Sequence, residues 1–143
     1  MNKKLNEYTF EEIEVGMKES FQVNITESME NTFAEITGNY NPLASNEEYA
    51  ATTNYKKRIS PGMLTASFLS RLTGMYLPGK YALLYSQSLN FENICYIGDQ
   101  ITVEGQVIEK NNATKIITLN TVITNQEGKK LVYGKARVTF RKN

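Results

Sequence analysis

Groups able to move protons are scarce in this chain, and the residues whose types and spacing suggest a site lie in two short stretches. The first is Gly38-Asn39-Tyr40-Asn41-Pro42-Leu43-Ala44, with two carboxamides flanking a tyrosine beside an Asn-Pro turn signal. A carboxamide reproduces the shape and one acceptor of a carboxylate but takes no proton at neutral pH. Asn is also a residue that turns use for their own backbone hydrogen bonds, and this accounts for Asn39 and Asn41 without any chemistry. The second stretch is Ser60-Pro61-Gly62-Met63, a strong helix start. The first amides of a helix lack intrahelical partners and favour developing negative charge, which places Gly62 where an anion would be stabilised. Among the neighbours of the first stretch, helix capping and solvent exposure account for Ser45 and Glu47, and Tyr40 is expected to pack.

What is missing limits the chemistry further. The chain has no histidine and a single cysteine, Cys95. Ser-His-Asp and Cys-His catalysis are therefore excluded, as are zinc sites built from His and Cys. One thiol forms no intrachain disulfide, which suits a reducing cytoplasm, and without an activating imidazole Cys95 reads as a small apolar residue in or beside a strand. No metal or cofactor is expected.

The 143 residues are the size of one domain, and 41% hydrophobic residues can build a core. A single domain over 1–143 is expected, with no internal repeat, linker or low-complexity tract. Sixteen Lys and Arg against fifteen Asp and Glu leave a net charge of +1, too little to gather nucleic acid or an anionic membrane. The start, Met1-Asn2-Lys3-Lys4-Leu5-Asn6-Glu7, lacks the apolar run of a signal peptide, and no segment is long enough to span a bilayer.

The elements that must position the two stretches can be read from periodicity. Phe21, Val23 and Ile25 alternate as in a half-buried strand. Thr26 then offers a helix N-cap with Glu27 and Glu30 in the first turn; Met29, Phe33 and Ile36 share a face, and Gly38 is a C-terminal stop. Ser45 or Asn46 would cap a short second helix carrying Glu47 to Ala50. Pro61 at the first helical position opens a largely buried helix that runs to Leu77, where Pro78-Gly79 ends it. Leu64, Phe68, Leu72 and Met75 are its apolar stripe, and Ala66, Ser70 and Gly74 form a row of small residues. Arg71, its only charge, is expected to face solvent or a dimer contact. Lys56-Lys57-Arg58 reads as a solvated basic turn, with phosphate binding as the other possibility. Three alternating runs follow: Ile101, Val103 and Val107; Ile117, Leu119, Thr121 and Ile123; and Val132, Gly134, Ala136, Val138 and Phe140. Asn125-Gln126-Glu127-Gly128 suits the loop between the last two. A strand, then helices, then antiparallel strands predicts an α+β domain.

The first stretch resembles the Gly-Asp-x-Asn-Pro-x-His signature of the MaoC-like dehydratases, most closely the (R)-specific enoyl-CoA hydratases. The similarity continues through Tyr49-Ala50-Ala51-Thr52-Thr53, Ile59-Ser60-Pro61-Gly62-Met63-Leu64, Leu77-Pro78-Gly79-Lys80 and Gln87-Ser88-Leu89-Asn90-Phe91. The resemblance implies a hotdog fold, a long central helix wrapped by a curved antiparallel sheet, in a homodimer joined edge to edge. It also implies an acyl-CoA or other acyl thioester as ligand, bound near Asn41, Gly62 and Met63, with the Gly62 amide facing the thioester oxygen and Ser70 in a supporting role. The family's Asp and His hold the attacking water. Here Asn39 and Ala44 stand in their places, and Pro61 replaces a frequent His.

Two substitutions of this kind predict a hydratase scaffold with little hydration of trans-2-enoyl-CoA to (R)-3-hydroxyacyl-CoA. A non-catalytic acyl-thioester-binding module or partner subunit is the second reading. A hotdog thioesterase is the third, weakened because such enzymes usually place a carboxylate on the long helix, and Pro61 to Leu77 contains no Asp or Glu.

Overall fold

The computed structural model describes residues 4–142. After an irregular N-terminal segment come β1 (Lys18–Asn24), α1 (Glu27–Thr37), α2 (Pro42–Ser45), α3 (Glu47–Ala51), β2 (Ile59–Ser60), α4 (Gly62–Ser67), α5 (Leu69–Arg71) and a π-helical turn over Leu72–Tyr76. The rest is strand: β3 (Ala82–Gln87), β4 (Asn90–Phe91), β5 (Cys95–Tyr96), β6 (Gln100–Asn111), β7 (Ile116–Thr124) and β8 (Lys130–Phe140). The main sheet runs in the order β1-β6-β7-β8-β3, wholly antiparallel, with β4 also paired to β8; β2 and β5 form a separate pair.

The alternating residues face inward as their period requires. Ile101, Val103, Val107, Ile117, Leu119, Ile123, Ala136 and Val138 are essentially inaccessible. Against them pack Ala66, Leu69 and Leu72 of the helical segment at one end and Leu77 at the other. Gly105 of β6 permits the closest approach, because a side chain there would collide with Leu72 Cδ2. The result is the hotdog arrangement of a helix held in a curved sheet. Among the described residues, no helix is long and apolar enough to cross a membrane.

Helix α1 starts and stops where its sequence directs. Thr26 Oγ1 accepts from Met29 N at 3.2 Å, and Gly38 takes φ 77° with its N–H donating to Ala34 O. Its buried residues differ from the apolar stripe, however: Glu30 and Ala34 are buried, while Ile36 is 78% exposed. The central helix also departs from the expected continuous rod. Pro61 is its N-cap, with extended ψ of 141°, so the first helical residue is Gly62. The α-helical repeat is interrupted at Phe68, and from Leu72 the chain widens into the π turn, whose last bond is Leu77 N to Leu72 O. Its small-residue row is open only in part: Ser70 and Gly74 are exposed but Ala66 is buried, while Leu64 and Leu72 carry the buried side.

Strand β3 has no alternating signature. Leu83, Leu84 and Tyr85 are each more than half exposed, and β3 is an edge strand of the sheet, as β1 is at the other side.

Candidate active site

The open face of the central helix forms the floor of a cavity of about 720 Å³. Pro61, Gly62, Met63, Ala66, Ser67, Leu69, Ser70 and Thr73 supply that floor; Phe33 and Thr37 of α1 and Asn39 form one wall, and Leu84, Gln87 and Leu89 the other. Of the residues singled out from sequence, the fold therefore unites Asn39, Gly62, Met63 and Ser70. Asn41 and Ala44 do not line the cavity.

The turn carrying Asn39 and Asn41 is built by its own side chains. Asn39 Oδ1 accepts from Asn41 N at 3.1 Å, and Asn41 Oδ1 caps α2 by accepting from Leu43 N at 3.0 Å. Pro42 occupies the first turn of α2, where its missing N–H costs nothing. Asn46, rather than Ser45, caps α3, accepting from Tyr49 N at 2.9 Å. Ser45 Oγ instead donates to the carbonyls of Tyr40 and Asn41, both at 3.0 Å. Tyr40, expected to pack, is 62% exposed because the turn holds its side chain outward. Ala44 is only 3% exposed, its methyl directed into the protein.

None of the fourteen residues lining the cavity is titratable. Their polar atoms are amides and hydroxyls, some already committed: Ser67 Oγ donates to Leu64 O at 2.6 Å, and Thr73 Oγ1 to Leu69 O at 3.4 Å. Such a surface can hold a largely apolar ligand and hydrogen-bond its polar atoms. It contains no side chain that exchanges a proton near neutral pH.

Beside this cavity lies a smaller one of about 340 Å³, which shares Gly62 and Met63 and is lined elsewhere by Ser60, Thr65, Phe91 and Cys95. The Phe91 ring lies so close over Gly62 that a Cβ there would be 2.7 Å from its Cδ1. Cys95 is buried in β5, and loss of hydration raises its thiol to about 11, with hydrogen bonds from Thr65 and Ser60 opposing the shift and the nearby Asp99 adding to it. It is a packing residue in a strand, as its sequence setting suggested.

The basic turn is solvated at Lys56 and Lys57, which are exposed, but not at Arg58. Lys57 lies over the Tyr96 ring, and Arg58 is drawn under the Asn39–Ala44 turn, its side chain 12% exposed. Arg58 Nε donates to Ala44 O at 2.7 Å, Nη1 to Glu27 Oε1 at 3.1 Å and Nη2 to Asn31 Oδ1 at 3.3 Å. Glu30 lies 3.6 Å from Nη2, completely buried, with neither oxygen hydrogen-bonded among the described residues. Loss of hydration pushes its carboxyl up against the opposing pull of Arg58. Sequence reasoning placed Glu30 in the first turn of α1 and missed its burial. Arg71, by contrast, lies outside the cavity lining, with its guanidinium 4.3 Å from the centre of the Phe21 ring.

An apolar cavity between a helix-borne Asn turn and the open face of a sheet-wrapped helix defines the class: the chain belongs to the MaoC-like domain family, whose domain matches residues 10–128. Within it, the chain is 41% identical over 133 residues to the (R)-specific enoyl-CoA hydratase of Rhodospirillum rubrum, covering 90% of this chain and 89% of that protein. It is 36% identical to the (R)-specific enoyl-CoA hydratase of Aeromonas caviae, over 88% of this chain and 94% of that one. The fold agrees with R-hydratase PhaJ1 from Pseudomonas aeruginosa in its unliganded form, at TM-score 0.89 and 34% identity over 94% of this chain and 86% of that one.

Proposed function

We propose that this chain is an (R)-specific enoyl-CoA hydratase scaffold that binds acyl thioesters but hydrates them poorly. The observation that carries the reading is the absence of any titratable side chain from the cavity lining. Hydration needs a base to take a proton from water, an acid to protonate the alpha carbon, and donors to the thioester oxygen. Donors remain in the amides at the start of α4, near Gly62, and in Ser70. The proton-transfer positions of the family correspond to Asn39, which holds a turn, and to Ala44, whose methyl lies off the cavity. Asn41 serves the turn, and Met63 contributes apolar contact for the acyl group.

The test pairs two measurements on the same protein. Calorimetric titration with a non-hydratable short acyl-CoA should show binding, while steady-state hydration of crotonyl-CoA should fall roughly 10²-fold or more below an active family member. Rates within tenfold of such an enzyme would refute the loss of chemistry, and failure to bind acyl-CoA would refute the ligand.

The exposed edge of β3 supports a homodimer. Leu83, Leu84 and Tyr85 give β3 an apolar surface beside the cavity, and its edge away from β8 is unpaired, an arrangement that natural sheets cover or pair. Sedimentation at micromolar concentration is expected to give a species near twice 16.2 kDa; a monomer throughout the accessible range would refute it.

A further inference from the structure

We infer that Arg58 is a positioning residue for this site, fixing the carbonyl of Ala44 and with it the direction of the side chain at position 44. The inference rests on the reading of position 44 as a proton-transfer position of the family, but the contacts stand independently of it. Helix α2 has only four residues, so its final carbonyls find few intrahelical donors. Arg58 Nε supplies one to Ala44 O at 2.7 Å, the shortest contact the guanidinium makes.

The rest of the guanidinium is fastened to α1, through Glu27 Oε1, Asn31 Oδ1 and the buried carboxylate of Glu30. The Arg58 backbone is held as well, its carbonyl accepting from Ile97 N at 3.2 Å. Strand β2 begins at the next residue and leads directly into Gly62. One side chain thus ties together α1, the Asn39–Ala44 turn and the segment that delivers the helix start. Only a planar group with several N–H donors reaches all of these at once; a lysine ammonium is a single point and cannot. Glu30 explains why the cation stays. A fully buried carboxylate with no hydrogen bond among the described residues depends on the guanidinium 3.6 Å away to offset its charge, so Arg58 cannot swing out to solvent without exposing that deficit.

The test uses Arg58→Lys, which keeps the buried positive charge, and the paired Arg58→Gln/Glu30→Gln, which removes both charges together and so leaves no buried ion unpaired. Amide hydrogen exchange is followed at Ala44, Ser45 and Asn46, whose N–H groups bond back to Asn41 and Pro42, with β7 as the internal control. The expected result is an increase of roughly tenfold or more at those three amides with β7 unchanged. Exchange that stays the same at the turn, or rises equally in β7, overturns the inference. A second readout places Arg58→Lys in the Asn39→Asp/Ala44→His background, where kcat should fall about tenfold or more and KM remain within roughly threefold, as misorientation of a reacting group requires. A KM effect alone would overturn it. If that background is inactive with Arg58 intact, the hydratase reading has failed, and the exchange measurement on the otherwise native chain still decides the role of Arg58.

Discussion

Asn39→Asp together with Ala44→His is the perturbation that most directly tests how this cavity relates to its relatives, and the structure assigns the two changes different costs. Asn39 is exposed, lines the cavity, and accepts from Asn41 N through Oδ1. A carboxylate keeps that acceptor and strengthens the bond, but it sits immediately beyond Gly38, at the negative end of α1, which costs about 0.3–1 kcal/mol. The two effects oppose each other, so the single change should alter stability by no more than about 1 kcal/mol. Ala44 is a different case. At 3% exposure its methyl is enclosed, and an imidazole must either overpack that space or turn toward the cavity, at about 1–3 kcal/mol. For a chain of this length that is a fall in Tm of roughly 2–12 °C. Each missing acid or base typically costs about 10²–10⁴ in rate, and groups that share one water do not act additively, so the double variant should exceed either single variant by at least about 10². The assay is loss of the enoyl-thioester absorbance of crotonyl-CoA, with thermal denaturation on the same preparations. A double variant that melts within the stated range, binds acyl-CoA, and yet hydrates no faster than its single-substitution parents would refute the reasoning.

Three further outcomes follow from the packing. Because burial raises Cys95 to about 11, a thiol reagent at pH 8 should label the native protein slowly and the denatured protein at once; rapid native labelling would show that β5 opens. The Glu30 carboxyl lies above its ordinary 4.5 in the folded chain, so folding binds its proton more tightly. Its contribution to stability is therefore greatest below pH 4.5 and declines as pH rises through the raised folded value. Glu30→Gln should gain on the parent chain as pH is raised from 4 toward 8 in urea denaturation, and a difference independent of pH would contradict this. Gly134→Ala should be severe, because the added carbon would collide with the backbone carbonyl of Ser88, where no side chain can yield. A loss of about 1–3 kcal/mol or more is expected by denaturant titration, and a loss below 0.5 kcal/mol would show that the β8 backbone relaxes freely.

Much of this architecture was legible in the sequence because its signals are local. Thr26 and Gly38 bracket α1 through bonds to residues three and four positions away, and the inward faces of β6, β7 and β8 follow from alternation alone. The Asn39–Ala44 turn was legible as a motif, and Asn39, Gly62, Met63 and Ser70 do meet in one cavity. The features that escaped depend on partners distant in the chain. Strand β3 carries Leu83, Leu84 and Tyr85 in succession, all exposed, and its pairing with β8 shifts register between Leu84 and Ser86, so no inside-outside period runs through it. The break at Phe68 and the widened turn from Leu72 have no Gly-Pro signal at their start.

Glu30 shows why the site's support was harder to read than the site. An acidic residue in the first turn of a helix is favoured by the helix dipole and by solvent, and a sequence offers no reason to bury it. Its burial makes sense only once Arg58 is brought beneath the turn, and Arg58 itself looked like one of three solvated cations. Arg58 offsets part of the cost of burying Glu30, and the same guanidinium finds a carbonyl that a four-residue helix leaves unpaired. The residues of the cavity could be recognised one by one from their types. The charge pair that holds their scaffold in place could not, because its members are intelligible only together.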